Sequence, residues 1–324
     1  MNPTISDTLV SVPLTDISTA YIADSDQFIA DKVFPIVNVD AQSALYFQYN
    51  KGDFFRVEVR ERAPATESAG SGFDVSQSPV YYCRIYAVHK DLDDQTRRGA
   101  MSQFNLERAS TLWVSQQLLL QRERVWANAY FRTGVWATDM AGVSGTPSGL
   151  QFKQWNDAAS TPIEDITGAI ITMAETTGYK PNTLVLSPRV LLALSNHPEI
   201  IDRVKYTQKA IITADILAAL FGVDRIVTPW GIINSAAKGA TDAFAFIYGK
   251  HALLVHSAPN PDLMMPSAGY IFAWTGYAGT GAYGNRVSSF RIEARKSDRI
   301  EGEMAYDARI ISSDLGIFFN NAVA

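Results

Sequence analysis

Leu45-Tyr46-Phe47-Gln48-Tyr49, a break at Lys51-Gly52-Asp53, then Phe55-Arg56-Val57-Glu58-Val59-Arg60: the reading of this stretch decides the fold. Apolar and polar residues alternate with the period of a two-faced strand. Ala63-Pro64-Ala65-Thr66-Glu67-Ser68-Ala69-Gly70-Ser71-Gly72 follows. It is small, polar and glycine-rich, the composition of a flexible tip. A second strand is expected from about Val80 to His89. Residues 45–90 thus read as a long two-stranded arm with a soft tip. A lone hairpin of that length is marginal in water. It makes physical sense if a neighbouring subunit covers it.

Downstream, Asp91-Leu92-Asp93-Asp94 reads as an acidic helix start, favourable against the helix dipole. Ser102 to Phe131 holds no Gly and no Pro, and Leu106, Ala109, Trp113, Leu120, Trp126 and Tyr130 fall near helical spacing. A helix over this stretch would span about 45 Å. No strict heptad supports a coiled coil, and Gly134 is the stop. Residues 134–160 are glycine-rich and read as loop. Thr161-Pro162-Ile163-Glu164 is a capping box with Pro at the first helical position, opening a helix to about Thr177 that Gly178 ends. Thr183-Leu184-Val185-Leu186 reads as a buried strand, and Ser187-Pro188 caps a helix to about Asn196. Thr213 to Phe221 gives another helix, closed by Gly222. Arg225–Val227, Ala243–Tyr248 and Ala252–His256 read as short strands, so the block is mixed α and β. Ser288–Arg295 and Ala305–Ile311 are strand-like, and no internal repeat is seen.

Upstream, residues 1–50 mix polar and apolar residues, punctuated by Pro3, Pro13 and Pro35. A short helix within Tyr21–Phe34 is expected to end before Pro35. An arm with so many apolar residues and no core of its own is expected to pack on something else.

The 324 residues are 47% hydrophobic and 11% aromatic, which argues for a folded chain with one or two cores. Lys+Arg 28 against Asp+Glu 33 gives −5, and the densest basic stretches interleave with acids. A nucleic-acid reader needs a basic stripe for phosphate contacts, and none is present. The single cysteine, Cys83, forms no intramolecular disulfide and reads as a buried small residue on a strand. Near-absence of cysteine fits assembly in a reducing cytosol. Met1–Val12 lacks the pattern of a signal peptide, and no apolar run reaches the length of a membrane span.

Motifs of chemistry are weak. Gly279-Thr280-Gly281-Ala282-Tyr283-Gly284 matches the dinucleotide pattern, but a strand-like run follows where a helix is required. His251 and His256 fall on opposite faces of a strand, and His197 sits before Pro198 at a helix break, so no zinc set forms. Ser187 lies in no nucleophile elbow. Asp91, Asp93 and Asp94 could form a metal or acid pair, but a helix start explains them. No convergent acid, base and nucleophile appear. No catalytic residue, metal site or cofactor is therefore expected, and the chain does not read as an enzyme.

The order of parts resembles the Hong Kong 97-type major capsid proteins of tailed bacteriophages. Phe28-Ile29-Ala30-Asp31-Lys32-Val33-Phe34-Pro35 looks like their N-terminal arm, and Arg62-Ala63-Pro64-Ala65-Thr66-Glu67-Ser68 like their extended loop. Leu184-Val185-Leu186-Ser187-Pro188-Arg189 looks like the strand-to-helix turn that opens their axial domain. The resemblance covers nearly the whole chain. It implies an α+β fold: an N-terminal arm (1–50), an extended β loop (51–90), a peripheral domain with a long spine helix (91–160), an axial domain (161–284) and C-terminal strands returning to the peripheral domain (285–324). It implies self-assembly through pentamers and hexamers into an icosahedral shell enclosing a double-stranded DNA genome, without sequence-specific binding. It implies assembly in the host cytoplasm, residence in the virion capsid, scaffolding and portal partners, and a surface for a decoration protein. Trp113 and Trp126 lie about 220° apart around the spine helix. One is expected to face the core and the other the axial domain or a neighbour.

Some members carry a long N-terminal scaffolding segment. This sequence starts at Met1 almost directly with the arm, so a separate scaffolding protein is expected. Some members crosslink through a lysine on the extended loop, but no lysine lies between Lys51 and Lys90. Arginines stand there instead. Arg60, Arg62 and Glu67 are the candidate inter-subunit contacts, paired non-covalently with charges on a neighbour. Two alternatives remain at this stage: a shell of the encapsulin nanocompartment type, and a soluble α/β enzyme.

Overall fold

The computed structural model describes residues 27–46, 48–49, 51–76, 79–99, 106–205, 212–260, 265–277 and 284–324. Most of the N-terminal arm, and all but Gly284 of the 279–284 glycine motif, lie outside these residues. In chain order the strands are β1 (Ile36–Val39), β2 (Ser43–Leu45), β3 (Gln48–Tyr49), β4 (Val75–Ser76), β5 (Val80–Tyr82) and β6 (Arg84–Asp93). After the spine helix (Leu106–Tyr130) come β7 (Thr138–Val143), β8 (Gln151–Lys153), β9 (Thr183–Leu186), β10 (Arg225–Val227), β11 (Ile232–Asn234) and β12 (Phe244–Phe246). The last are β13 (Ala252–Val255), β14 (Gly269–Trp274), β15 (Asn285–Ile292), β16 (Ser297–Ile310) and β17 (Gly316–Asn320).

Two sheets organise the subunit. One is built around β16, whose 14 residues pair with β6 along one edge and with β15 and then β14 along the other. β1 joins β14 in parallel and completes the five strands. The spine helix packs across β6 and β16. Gly302 marks their closest approach, because a Cβ there would lie 2.3 Å from Val114 Cγ1. The buried stripe of the helix is Val114, Leu118, Leu119, Trp126 and Ala127, with Ser110, Thr111, Ser115, Arg122 and Glu123 in the same band. Half of that stripe is polar, so hydropathy alone shows the helix less clearly than its spacing does.

The second sheet has the order β10-β9-β13-β17-β7-β8. β9, β13 and β17 are hydrogen-bonded on both sides and apolar on both faces, as a sheet covered twice requires. Leu184, Leu186, Leu254, Ile317 and Phe319 face a core made with the helices Pro162–Thr177, Pro188–Ser195, Pro198–Val204 and Ala214–Phe221. Val185, Leu253, Val255 and Phe318 face the other core, with Phe34, Trp126, Phe131 and Trp136. One sheet therefore belongs to both cores, and the C-terminal strand β17 sits in its centre.

Several expectations are corrected. Residues 134–160 supply β7 and β8 to the six-stranded sheet instead of forming loop throughout. That sheet draws its strands from 138–153, 183–255 and 316–320. β6 runs through Asp91 and Asp93, so only Asp94 opens a helix, Asp94–Gly99. From Arg84 onward the second arm strand belongs to the large sheet, where β16 outcompetes the loop as a ladder partner. Phe55–Arg60 forms no strand, because no described strand of the same chain lies beside it. Thr161 makes no side-chain cap bond, although the helix does start at Pro162. The break at His197 is itself a cap, with Nδ1 accepting from the Glu199 amide at 3.3 Å as Pro198–Val204 begins.

Candidate assembly surfaces

The arm is anchored at its base and open at its tip. β2 pairs with β5 and β3 with β4, both antiparallel. Gln48 Nε2 donates to the Ile311 carbonyl at 2.7 Å, and Lys51 forms an ion pair with Asp314. The Tyr82 amide donates to Asp307 Oδ2 at 2.9 Å. Phe55 lies over Gly178, where a Cβ would come 2.7 Å from the ring. Gly178 also takes φ +73°, ending the helix Pro162–Thr177. These contacts tie the loop base to β16, to the turn before β17 and to the end of the helix Pro162–Thr177. A small pocket of about 110 Å³ beneath it is lined by Lys51, Thr138, Thr172, Met173, Thr176 and Asp314. That is room for a few waters, and the lining holds no acid, base and nucleophile set.

Beyond the base the chain projects. Val57 is 88% and Val59 90% exposed, the highest values among the large apolar side chains described. A subunit that finished its folding alone would not leave two adjacent alternating valines this bare. Arg60, Arg62 and Glu67, the candidates from sequence, are exposed on the same segment and form no ion pair among the described residues. The structure brings them onto one projection but shows no partner for them. A second exposed apolar face lies on the β11–β12 hairpin, where Trp230, Ile232 and Phe244 are more than half exposed.

The acidic run has a structural occupation. Asp91 accepts from Arg299 at 2.7 Å and Arg295 at 3.2 Å, and Asp94 from Arg291 at 2.6 Å. Arg97 bridges Asp298 and Glu107. The hydrogen bonds from Arg299 and Arg291 lower the carboxyl pKa values of Asp91 and Asp94 respectively. Asp93 accepts from the Thr96 amide at 2.5 Å, and its pKa is lowered first by the Thr96 side chain and then by this amide. This lattice joins β6, β15, β16 and the start of the spine helix. Among the described residues no group of three His, Cys, Asp or Glu is placed to hold a metal ion.

Three of the four histidines, His197, His251 and His256, are likewise engaged. His256 donates through Nδ1 to the Lys180 carbonyl at 2.8 Å, and His251 Nδ1 accepts from the Asn321 amide at 3.0 Å. Buried His197 lies 3.0 Å from Ser160 Oγ, but its other ring nitrogen is occupied by the helix cap, so the pair is a packing contact. Cys83 is fully buried, and burial pushes its thiol up to about 12, which makes it inert. Gly284 leads directly into strand β15, and that removes the helix a dinucleotide site needs.

Sequence reasoning missed Glu123. It stands between Arg122 and Arg124 and reads as part of a solvated face, yet it is 0% exposed. The available signal was its position, three before Trp126 and four after Leu119 on the buried stripe.

No family model matches the chain. It is 27% identical to the major capsid protein of Pseudomonas phage JBD67 over 96% of each chain. It is 23% identical to the major capsid protein of Burkholderia phage BcepMu over 95% of each. The capsid structure of cyanophage P-SCSP1u superposes with a TM-score of 0.60 at 13% identity, over 90% of this chain and 88% of that one. Over nearly its whole length the chain is similar to the major capsid proteins of phages, and it shares its fold with a phage capsid subunit.

Proposed function

We propose that copies of this chain close into an icosahedral shell of pentamers and hexamers around a double-stranded DNA genome, with the extended loop of each copy lying on its neighbour. The observation that carries the loop's role is the bare alternating segment Phe55–Arg60, with Val57 and Val59 almost fully exposed beside a base fixed to Ile311 and Asp314. Covering such a segment removes apolar surface from water, which contributes about 25 cal/mol per Å² buried. Repetition around a closed shell multiplies that term. Arg60, Arg62 and Glu67 flank the segment and supply directional pairing rather than bulk affinity. The net charge of −5 suits a container that must not grip its DNA. Such a shell would assemble in the host cytoplasm with scaffolding and portal proteins and could carry a decoration protein. A role confined to structure fits the occupied histidines and carboxylates described above.

The test is deletion of the tip, Ala63 to Gly72, followed by far-UV circular dichroism and electron microscopy. A folded chain that no longer forms shells supports the reading. A normal yield of intact particles from the deletion counts against it. Genome-length DNA in particles of the full chain separates the virus from a cargo compartment, which would instead carry a protein.

A further inference from the structure

We infer that Glu123 is the anchor of the N-terminal arm: a buried carboxylate on the spine helix that fixes the position and register of the arm's turn at Ala30–Val33. Glu123 Oε2 accepts from the Ala30 amide at 3.0 Å, and Oε1 accepts from the Ile29 amide at 2.8 Å and from the Tyr248 hydroxyl. The acceptor is therefore shared by three elements: the arm, the spine helix and the approach to β13. Each of these donors is buried, and each would be left unsatisfied without the carboxylate. Burial raises the pKa of this carboxyl while its three donors oppose the rise.

Everything around the anchor fixes the same short segment. Ile29, Ala30, Val33 and Phe34 are fully buried. The Phe34 ring meets Trp126 at 5.3 Å, Tyr130 at 5.0 Å and Trp136 at 6.3 Å. Asp31 pairs with Arg122 at 2.9 Å, and the Lys32 carbonyl accepts from Arg225 at 2.6 Å. Apolar packing alone would permit the four-residue turn Ala30–Val33 to slide along the helix. Two backbone amides on two oxygens of one carboxylate permit one register only. A buried acid in a core usually costs stability against an apolar residue of the same size. Its presence here is explained by that positional role.

The inference rests on the reading that this arm contacts other copies, but the measurement that tests it does not. Hydrogen exchange on the unassembled full chain compares wild type with Glu123→Gln. The glutamine amide places a donor against the Ala30 amide, so residues 28–35 should exchange about tenfold faster or more while β9, β13 and β17 keep their protection. Unchanged exchange at 28–35, or an equal rise across the six-stranded sheet, overturns the inference. If Glu123→Gln does not fold, Tyr248→Phe takes its place. It removes one donor and no charge, loosens the carboxylate, and should give a smaller rise confined to 28–35. An absent or uniform rise overturns the inference equally. Shell yield is scored separately: a loosened arm with normal shells leaves the anchor standing and refutes the arm's part in assembly.

Discussion

Trp126→Ala should be among the most damaging single changes in the spine helix, and Trp113→Ala on the same helix should be mild. Trp126 is 1% exposed and ringed by Phe34, Tyr130 and Tyr248 at centroid distances of 5.3, 6.1 and 6.1 Å. Burying about 150–250 Å² of aromatic surface corresponds to roughly 4–6 kcal/mol at about 25 cal/mol per Å². The cavity left by alanine adds to the loss. One term works the other way: Trp126 Nε1 finds no acceptor among the described residues, and removing it relieves about 1–3 kcal/mol. The net expectation is about 3–5 kcal/mol. Trp126→Phe keeps most of the ring packing and loses the unpaired N–H, so it should cost under about 2 kcal/mol. Trp113 is 41% exposed, with Lys90 Nζ 6.0 Å from its ring centroid, and its truncation leaves no cavity. It should cost about 1–2 kcal/mol in the isolated subunit. Urea unfolding of the unassembled chain, below the concentration at which shells form, reads these differences without the free energy of assembly. Equal costs for Trp126→Ala and Trp113→Ala would refute the assignment of faces.

Two further outcomes follow from the charges. The carboxyl pKa values of Asp91 and Asp94 are lowered in the folded chain, so their contribution is present above the unfolded carboxylate value near 3.9 and is lost as pH falls through the folded values. Thermal stability should drop between about pH 4 and lower, and Asp91→Asn should flatten that drop; an identical acid profile for the variant contradicts it. Arginine stays protonated and is a poor nucleophile, and the loop from Gly52 to His89 offers no lysine, so mature particles should run as one band at the chain mass on a denaturing gel. A ladder of multimers that survives boiling and reductant refutes a non-covalent shell.

What the sequence showed of this fold follows the range of the interaction that encodes each part. Helices bounded by Pro and Gly were legible, because those residues act on their own neighbours. Pro162 opens one helix, and Gly178 and Gly222 close two at φ +73°. β9 and β13 were legible as short apolar runs. β16 was not read as one strand, because Ser297-Asp298-Arg299-Ile300-Glu301-Gly302-Glu303 looks like a solvated surface. Its charges are answered across the ladder: Arg299 stands opposite Asp91, Asp298 opposite Arg291, and Glu303 opposite Arg286, all in ion-pair contact. Arg291 and Asp298 are neighbours across a tight turn, but Arg299 and Asp91 stand 208 positions apart, and no local window contains both halves of that pair. Glu123 escaped for the same reason, since its donors come from residues 29, 30 and 248.

The extended loop is the reverse case. Its pattern was read correctly as alternation and wrongly as a strand of this chain. Alternation records which side chains will be covered, not which molecule covers them. In Phe55–Arg60 the covered face is written as Phe55, Val57 and Val59, and the single chain covers only part of Phe55, at Gly178. The mismatch between pattern and ladder is thus itself a signal of association. It lies beside the three charged residues singled out from sequence, whereas Asp91, Arg286, Arg291, Asp298, Arg299 and Glu303 of β6, β15 and β16 are paired within the chain. Free charge and bare alternation coincide on one projection, and that coincidence is what the proposed contact with a neighbouring copy rests on.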